Sequence, residues 1–206
     1  MNDRPARIVG IAGGTGSGKT WLAHFLKAEL GACATLISQD WYYKDQSATA
    51  AAMAGALNFD HPRAFEVSLL VGHLDELRHG RPVQAPRYDF ATHARAPRAV
   101  AVRPAPVVIV EGLFVLHQKS IFKRLDHSVF VDVPADVRLM RRLRRDASER
   151  SIPAQESLRL YETFARPMHE RFVEPSAAWA RHVWRPLRER DFPGRFASEI
   201  KQHLLS

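Results

Sequence analysis

Residues 13–20 read Gly13-Gly14-Thr15-Gly16-Ser17-Gly18-Lys19-Thr20. They follow the β-branched run Arg7-Ile8-Val9-Gly10-Ile11-Ala12 and precede the amphipathic run Trp21 to Leu30. Strand, glycine turn and helix in this order leave the backbone little choice. The four glycines let successive N–H groups turn toward an anion, and the helix that follows brings its positive dipole end to the same point. Lys19 then reaches the β/γ-phosphates of a nucleotide, and the Thr20 hydroxyl is placed to ligate Mg²⁺. A glycine-rich turn with a chance lysine would explain neither the strand before it nor the helix after it.

Short β-branched runs recur at Ile8 to Ala12, Thr35 to Ser38, Val107 to Val110, Val129 to Val133 and His182 to Arg185. Buried parallel strands have this composition. Helical patterns alternate with them at Gly18 to Leu30, Phe65 to His79, Ala135 to Ser148, Ala154 to Ala180 and Phe196 to Leu204, with a shorter one near Lys119 to Arg124. The expectation is an α/β P-loop NTPase fold in three layers, α/β/α, with a parallel sheet and ligands at the carboxyl ends of its strands. At 206 residues, one domain over 1–206 is expected. Between Gly80 and Pro106 prolines and short alternating stretches indicate a β-hairpin insertion, about 80–106. Ala48 to Ala56 reads as a surface helix or loop without chemistry, and there is no internal repeat.

The formal net charge of +8 asks for an anionic partner. Its surplus is concentrated at Arg138, Arg141, Arg142, Arg144, Arg145 and Arg150, not in a dispersed stripe with aromatics. That favours a small phosphorylated ligand over nucleic acid. The longest apolar stretch, Val107 to Leu116, is too short to span a bilayer and contains Glu111. A single cysteine, Cys33, and an opening without an apolar leader point to the cytoplasm.

Two carboxylates follow strand patterns. Asp40, after Thr35 to Ser38, either orients an acceptor hydroxyl and takes its proton or caps Trp41-Tyr42-Tyr43. Glu111 ends an apolar strand in the manner of a Walker B acid, reaching Mg²⁺ or pairing with an arginine. Asn58-Phe59-Asp60-His61-Pro62 and Tyr88-Asp89-Phe90-Ala91-Thr92-His93 mix aromatic, acidic and imidazole groups in loops, where substrate contacts are usually made. Arg138, Arg142 and Arg145 share a helical face, so a lid over phosphates competes with an ordinary solvated face.

The chain resembles the uridine-cytidine kinases, within the P-loop kinases that include phosphoribulokinase. The blocks GGTGSGKT, LISQDWYYKD, NFDHPRAF, PRYDFATHAR and VVIVEGLF carry the resemblance, and it continues through FVDVPADVRLMRRLRRDASER and, more loosely, YETFARPMHERFVEPS. It implies ATP and Mg²⁺ as cofactors, Asp40 as general base on a nucleoside 5′-hydroxyl, and Thr20, Asp40 and Glu111 around the metal. Asp60 would hold ribose hydroxyls, and Tyr88, Phe90 and His93 would contact a pyrimidine. Arg142, Arg145 and Arg150 would clamp phosphates from a lid at about 136–152, with 80–106 as the substrate-binding hairpin. A homotetramer and pyrimidine salvage come with the likeness. Nicotinamide riboside or a sugar phosphate are alternative acceptors for a kinase of the same fold, and the rival reading from another class is a nucleotide-sensing or nucleic-acid-binding protein that keeps the loop without catalysis. Departures matter: where such kinases read ERGR and then QY, this chain has Glu149-Arg150-Ser151-Ile152 and Leu160-Tyr161, and the ADxIxPRGG segment is replaced by Ala180 to Pro186.

Overall fold

The computed structural model describes residues 5–45, 58–90 and 92–205; the stretch Ala48 to Ala56 lies outside them. Its strands are β1 (Arg7–Gly13), β2 (Ala34–Ser38), β3 (Val83–Ala85), β4 (Tyr88–Asp89), β5 (Ala94–Arg95), β6 (Val100–Val102), β7 (Val107–Glu111), β8 (His127–Val131) and β9 (His182–Trp184). The main helices are α1 (Lys19–Leu30), α2 (Val67–Arg78), α3 (Lys119–Phe122), α4 (Ala135–Glu149), α5 (Ala154–Leu160) and α6 (Phe192–Leu205). A five-stranded sheet runs in the order β2-β7-β1-β8-β9, and every pairing in it is parallel.

Alternation along β1 builds both faces of the sheet. Ile8 and Ala12 pack with Leu70, Leu74 and Leu77 of α2 and with Phe114 and Ile121. Val9 and Ile11 point the other way, against Leu22 and Leu26 of α1 and Phe196 and Ile200 of α6. The result is the expected three-layer α/β/α architecture, with the crossover connections that parallel strands require.

Three elements differ from their sequence patterns, each through proline. The single hairpin expected before β7 is two nested antiparallel pairs, β3 with β6 and β4 with β5. Pro86 and Pro97 fall in the gaps between the pairs, where neither can donate to a ladder. The long helix expected from Ala154 opens beyond α5 into π-helical turns at Tyr161–Ala165 and His169–Val173, followed by a 3₁₀ segment, Glu174–Trp179. Pro167 and Pro175 remove the N–H groups that would have closed regular turns. Finally, α6 starts at Phe192, four residues before the expected Phe196, because Pro193 is tolerated in a first turn although it reads as a breaker.

Candidate active site

Three strands deliver their carboxyl ends to one edge of the sheet. Ser38 of β2 and Ile11 of β1 both register with Glu111 of β7. The loop after β1 therefore lies beside the acid that ends β7, as the crevice rule for parallel sheets requires. Gly16 has φ +75°, and a Cβ there would stand 2.4 Å from the Arg138 carbonyl oxygen, so the loop tolerates no side chain at that point. Lys19, at the start of α1, is buried and makes no ion pair among the described residues. Thr15 and Ser17 are buried beside it, and the Ser17 hydroxyl has no partner among the described residues.

Glu111 is 2% exposed and is held by two hydroxyls: Ser38 Oγ donates at 2.5 Å and Thr20 Oγ1 at 3.1 Å. No arginine pairs with it among the described residues, which disposes of the ion-pair reading of this residue. Burial raises its pKa, Lys19 opposes that rise, and Asp40 adds to it. The ionised carboxylate is thus short of positive charge. Asp40 lies in a 3₁₀ turn, Gln39–Tyr42, whose cap is not Asp40 but Ser38, which accepts from the Asp40 N–H at 3.3 Å. Its own Oδ1 is buried without a partner among the described residues. The Asp40 charge bears on Glu111, Asp60, Tyr43 and Arg150 together, so it sits between the acid that ends β7 and the residues of the Asn58 and Tyr88 loops and of α4. Thr20, Asp40 and Glu111 make an all-oxygen, undercompensated donor set, which suits a hard divalent cation such as Mg²⁺.

A cluster of aromatic rings lies next to Asp40 in the chain. Tyr43 is surrounded by Phe59, Tyr88 and Phe90 at ring distances of 5.8, 5.1 and 5.6 Å, and His93 stacks on Phe59 at 5.0 Å. Tyr88 is a core residue, and burial drives its phenol up to about 12. Its hydroxyl and the His93 Nδ1 are buried without partners among the described residues. Unpaired polar atoms of this kind are uncommon inside a fold, and a docked ligand is one way to satisfy them. Asp60 faces Arg142 at 3.7 Å, and burial raises its pKa against the charges of Arg142, Arg145 and Arg150.

Helix α4 covers the phosphate loop. Arg141 donates to the carbonyls of Gly16 and Ser17, each at 3.4 Å, and Arg138 lies against Gly14 with one guanidinium nitrogen buried and unpartnered among the described residues. Arg142 and Arg138 are buried, so this is no solvated face. Arg142, Arg145 and Arg150 instead gather around Asp146, at 3.3, 2.8 and 3.9 Å, while Arg150 also lies over the Phe90 ring at 4.4 Å. Ser157 of α5 donates to Asp146 Oδ2, the oxygen that Arg142 also faces, at 2.6 Å. Asp146 thereby fixes the arginine cluster and joins α4 to α5. Ser151, which occupies the glycine position of ERGR, has φ +54°, a conformation costing an L-residue about 1–2 kcal/mol.

Asp146, Tyr43 and His169 have no place among the candidate site residues that the sequence offers. The Asp146 signal was its spacing of four from Arg142. His169 belongs to the second π turn and lies beside Gly14, and burial and then Arg138 lower its pKa to about 4. No local pattern marks it.

Burial alone would raise the Asp146 pKa, but the Ser157 and Arg145 hydrogen bonds and the Arg145 and Arg142 charges outweigh it and hold it below 3.8. A depressed carboxylate stabilises the fold above its unfolded value and loses that contribution as pH falls through the folded one. Asp146→Ala is therefore expected to cost about 3 kcal/mol at neutral pH, as for one partner removed from a buried ion cluster. In denaturant titrations the gap to wild type should narrow below pH 3.8. A gap that stays constant across that range would remove the charge from this explanation.

Phosphate loop, metal-competent acids and arginine cover together define the class of P-loop phosphotransferases. The sequence profile of the Phosphoribulokinase / Uridine kinase family matches residues 8–192, and the chain belongs to that family. A uridine kinase of Staphylococcus epidermidis is 42% identical over 82% of this chain and 82% of its own length. One from Staphylococcus carnosus is 42% identical over 84% of each. Among solved structures, D-glycerate 3-kinase from Cryptococcus neoformans superposes with a TM-score of 0.66 at 17% identity, over 90% of this chain and 88% of that one, which speaks for the fold alone. No helix among the described residues is long and apolar enough to cross a membrane.

Proposed function

We propose that this protein transfers the γ-phosphoryl group of ATP to the 5′-hydroxyl of uridine or cytidine, giving UMP or CMP, in the cytoplasm and as a homo-oligomer, a tetramer by the family likeness. The observation that carries the reading is the Asp40 Oδ1, buried and without a partner among the described residues, between Glu111 and the aromatic cluster around Tyr43. In the reaction the nucleoside O5′ attacks the γ-phosphorus, the O5′–P bond forms and the bond to the β,γ-bridging oxygen breaks. The hydroxyl proton goes to Asp40 and the bond electrons leave on ADP. Gly13, Gly14, Thr15, Gly16, Ser17 and Gly18 cradle the phosphates with backbone N–H groups, and Lys19 neutralises charge on the transferring group. Thr20, Asp40 and Glu111 would hold Mg²⁺, which offsets phosphate charge.

Asp60 takes the ribose hydroxyls, and Tyr88, Phe90 and His93 in the 80–106 hairpin face the base. Residues about 136–152 act as a lid, in which Arg142, Arg145 and Arg150 contact phosphate while Arg138 and Arg141 already touch the loop. A sensor without catalysis has no use for a carboxylate oxygen held buried and without a partner among the described residues at Asp40. Ile152 and Leu160, in place of an arginine and a glutamine, favour one second reading: another alcohol, such as nicotinamide riboside or a sugar phosphate, on the same machinery. Purified protein with Mg·ATP, screened for ADP release against nucleosides and sugar phosphates, separates the two. Release driven by uridine or cytidine supports the proposal, and release driven only by another alcohol replaces it.

A further inference from the structure

We propose that His127, Glu199 and His203 form a site for a zinc-class divalent cation that fastens α6 to the sheet, with His182 as a fourth donor. The fold brings these residues together from three elements. Glu199 and His203 are one turn apart on α6 and share a face. His127 opens β8 and His182 opens β9. Val129 registers with His182, and residues two apart on a strand point the same way, so both imidazoles lie on one side of the sheet. That side is the one α6 covers, since Phe196 and Ile200 pack there with Val129 and Trp184.

The donor atoms of His127, Glu199 and His203 all lie within 4.8 Å of one another. Glu199 Oε1 is 3.8 Å from His127 Nδ1 and 3.6 Å from His182 Nε2. Tetrahedral zinc with bonds of about 2.0–2.1 Å sets its donors roughly 3.3–3.4 Å apart. The two Glu199 distances thus need to close by about half an ångström or less, and the distances to His203, bounded by 4.8 Å, by no more than about 1.5 Å, which rotation of side chains on α6 can supply. The His127 side chain is 6% exposed, and its Nδ1 and the His182 Nε2 have no hydrogen-bond partner among the described residues. A buried nitrogen left unpaired is costly, and a bound cation satisfies it. Burial, Arg181 and His203 press His127 toward its neutral, ligating form, against Glu199 and Asp126. Imidazole nitrogens with one carboxylate favour zinc and its neighbours over Mg²⁺ or Ca²⁺.

This cluster is not part of the phosphate machinery. His127 registers with Val9, well before the end of β1 that opens into the loop. Glu199 and His203 also lie beyond residue 192, where the family match ends.

The test uses the full chain, stripped with EDTA and returned to buffer with excess Mg²⁺ so that the catalytic carboxylates are occupied. Titration with Zn²⁺ should give one equivalent bound and a rise in thermal midpoint, since a ligand that binds only the folded state stabilises it. Co²⁺ in place of zinc should give the intense visible bands of a tetrahedral site. Glu199→Gln and His203→Ala change half-buried or exposed side chains. Each should weaken zinc by at least roughly tenfold and abolish the thermal shift, with ATP binding unchanged. No zinc uptake, or equal affinity in both variants, overturns the proposal.

Discussion

Asp40→Asn is expected to lower kcat by at least about a hundredfold, the lower range for a lost general base, while ATP affinity stays near wild type. The expectation follows from the surroundings of the residue. Asp40 makes no ion pair among the described residues, and its Oδ1 is buried and unbonded, so the carboxylate is not spent on holding the fold together. Its backbone position is set by the Ser38 cap, which the substitution leaves untouched. An asparagine of the same size keeps the turn but cannot take the hydroxyl proton. Lys19→Ala is expected to abolish most turnover by another route, losing charge stabilisation on the transferring phosphoryl group. Nucleotide titration together with single-turnover rates distinguishes them, because only the lysine variant should lose ATP affinity. An Asp40→Asn enzyme within a few-fold of wild type would deprive Asp40 of its role.

The second large effect concerns the acceptor. Ile152 follows the strained Ser151 directly, and Leu160 ends α5; both are half-buried. Neither supplies the polar contact that the resembled kinases carry there. A hydrogen bond to a neutral group contributes about 0.5–1.5 kcal/mol and one to a charged group about 1.5–3. Losing one of each corresponds to nucleoside binding weaker by roughly two to three orders of magnitude. The wild-type KM for uridine is therefore expected to be high for the family. Ile152→Arg combined with Leu160→Gln should lower it toward that extent, with little change in kcat, because the restored contacts act on substrate and transition state alike. If the double variant leaves KM where it was, the two positions do not face the acceptor.

What was legible in the sequence was local. The phosphate loop, the five parallel strands and Glu111 are written in contiguous patterns, a glycine spacing and β-branched runs, which physical chemistry turns into structure without help from distant residues. Asp146 was not, because a single acid in a run of arginines reads as surface neutralisation until α5 brings Ser157 onto it. His169 acquires its place beside Gly14 only through the π turns of a proline-interrupted helix. Tyr43 looked like one of three aromatics after Asp40, and only the pairing of the loops makes it the centre of the ring cluster. The nested hairpin followed the same rule: alternation was visible, but the places where Pro86 and Pro97 break the ladder depend on which residues stand opposite.

Phosphorus NMR of the product formed from uridine and Mg·ATP, with 5′-deoxyuridine as the matched control, decides whether the 5′-hydroxyl is the acceptor. ADP and a nucleoside monophosphate are expected in equal amounts, with the new phosphorus resonance coupled to the C5′ protons and no phosphorylation of 5′-deoxyuridine. ATP turned over with a sugar phosphate or another alcohol, while uridine and cytidine both remain unmodified, would contradict this expectation.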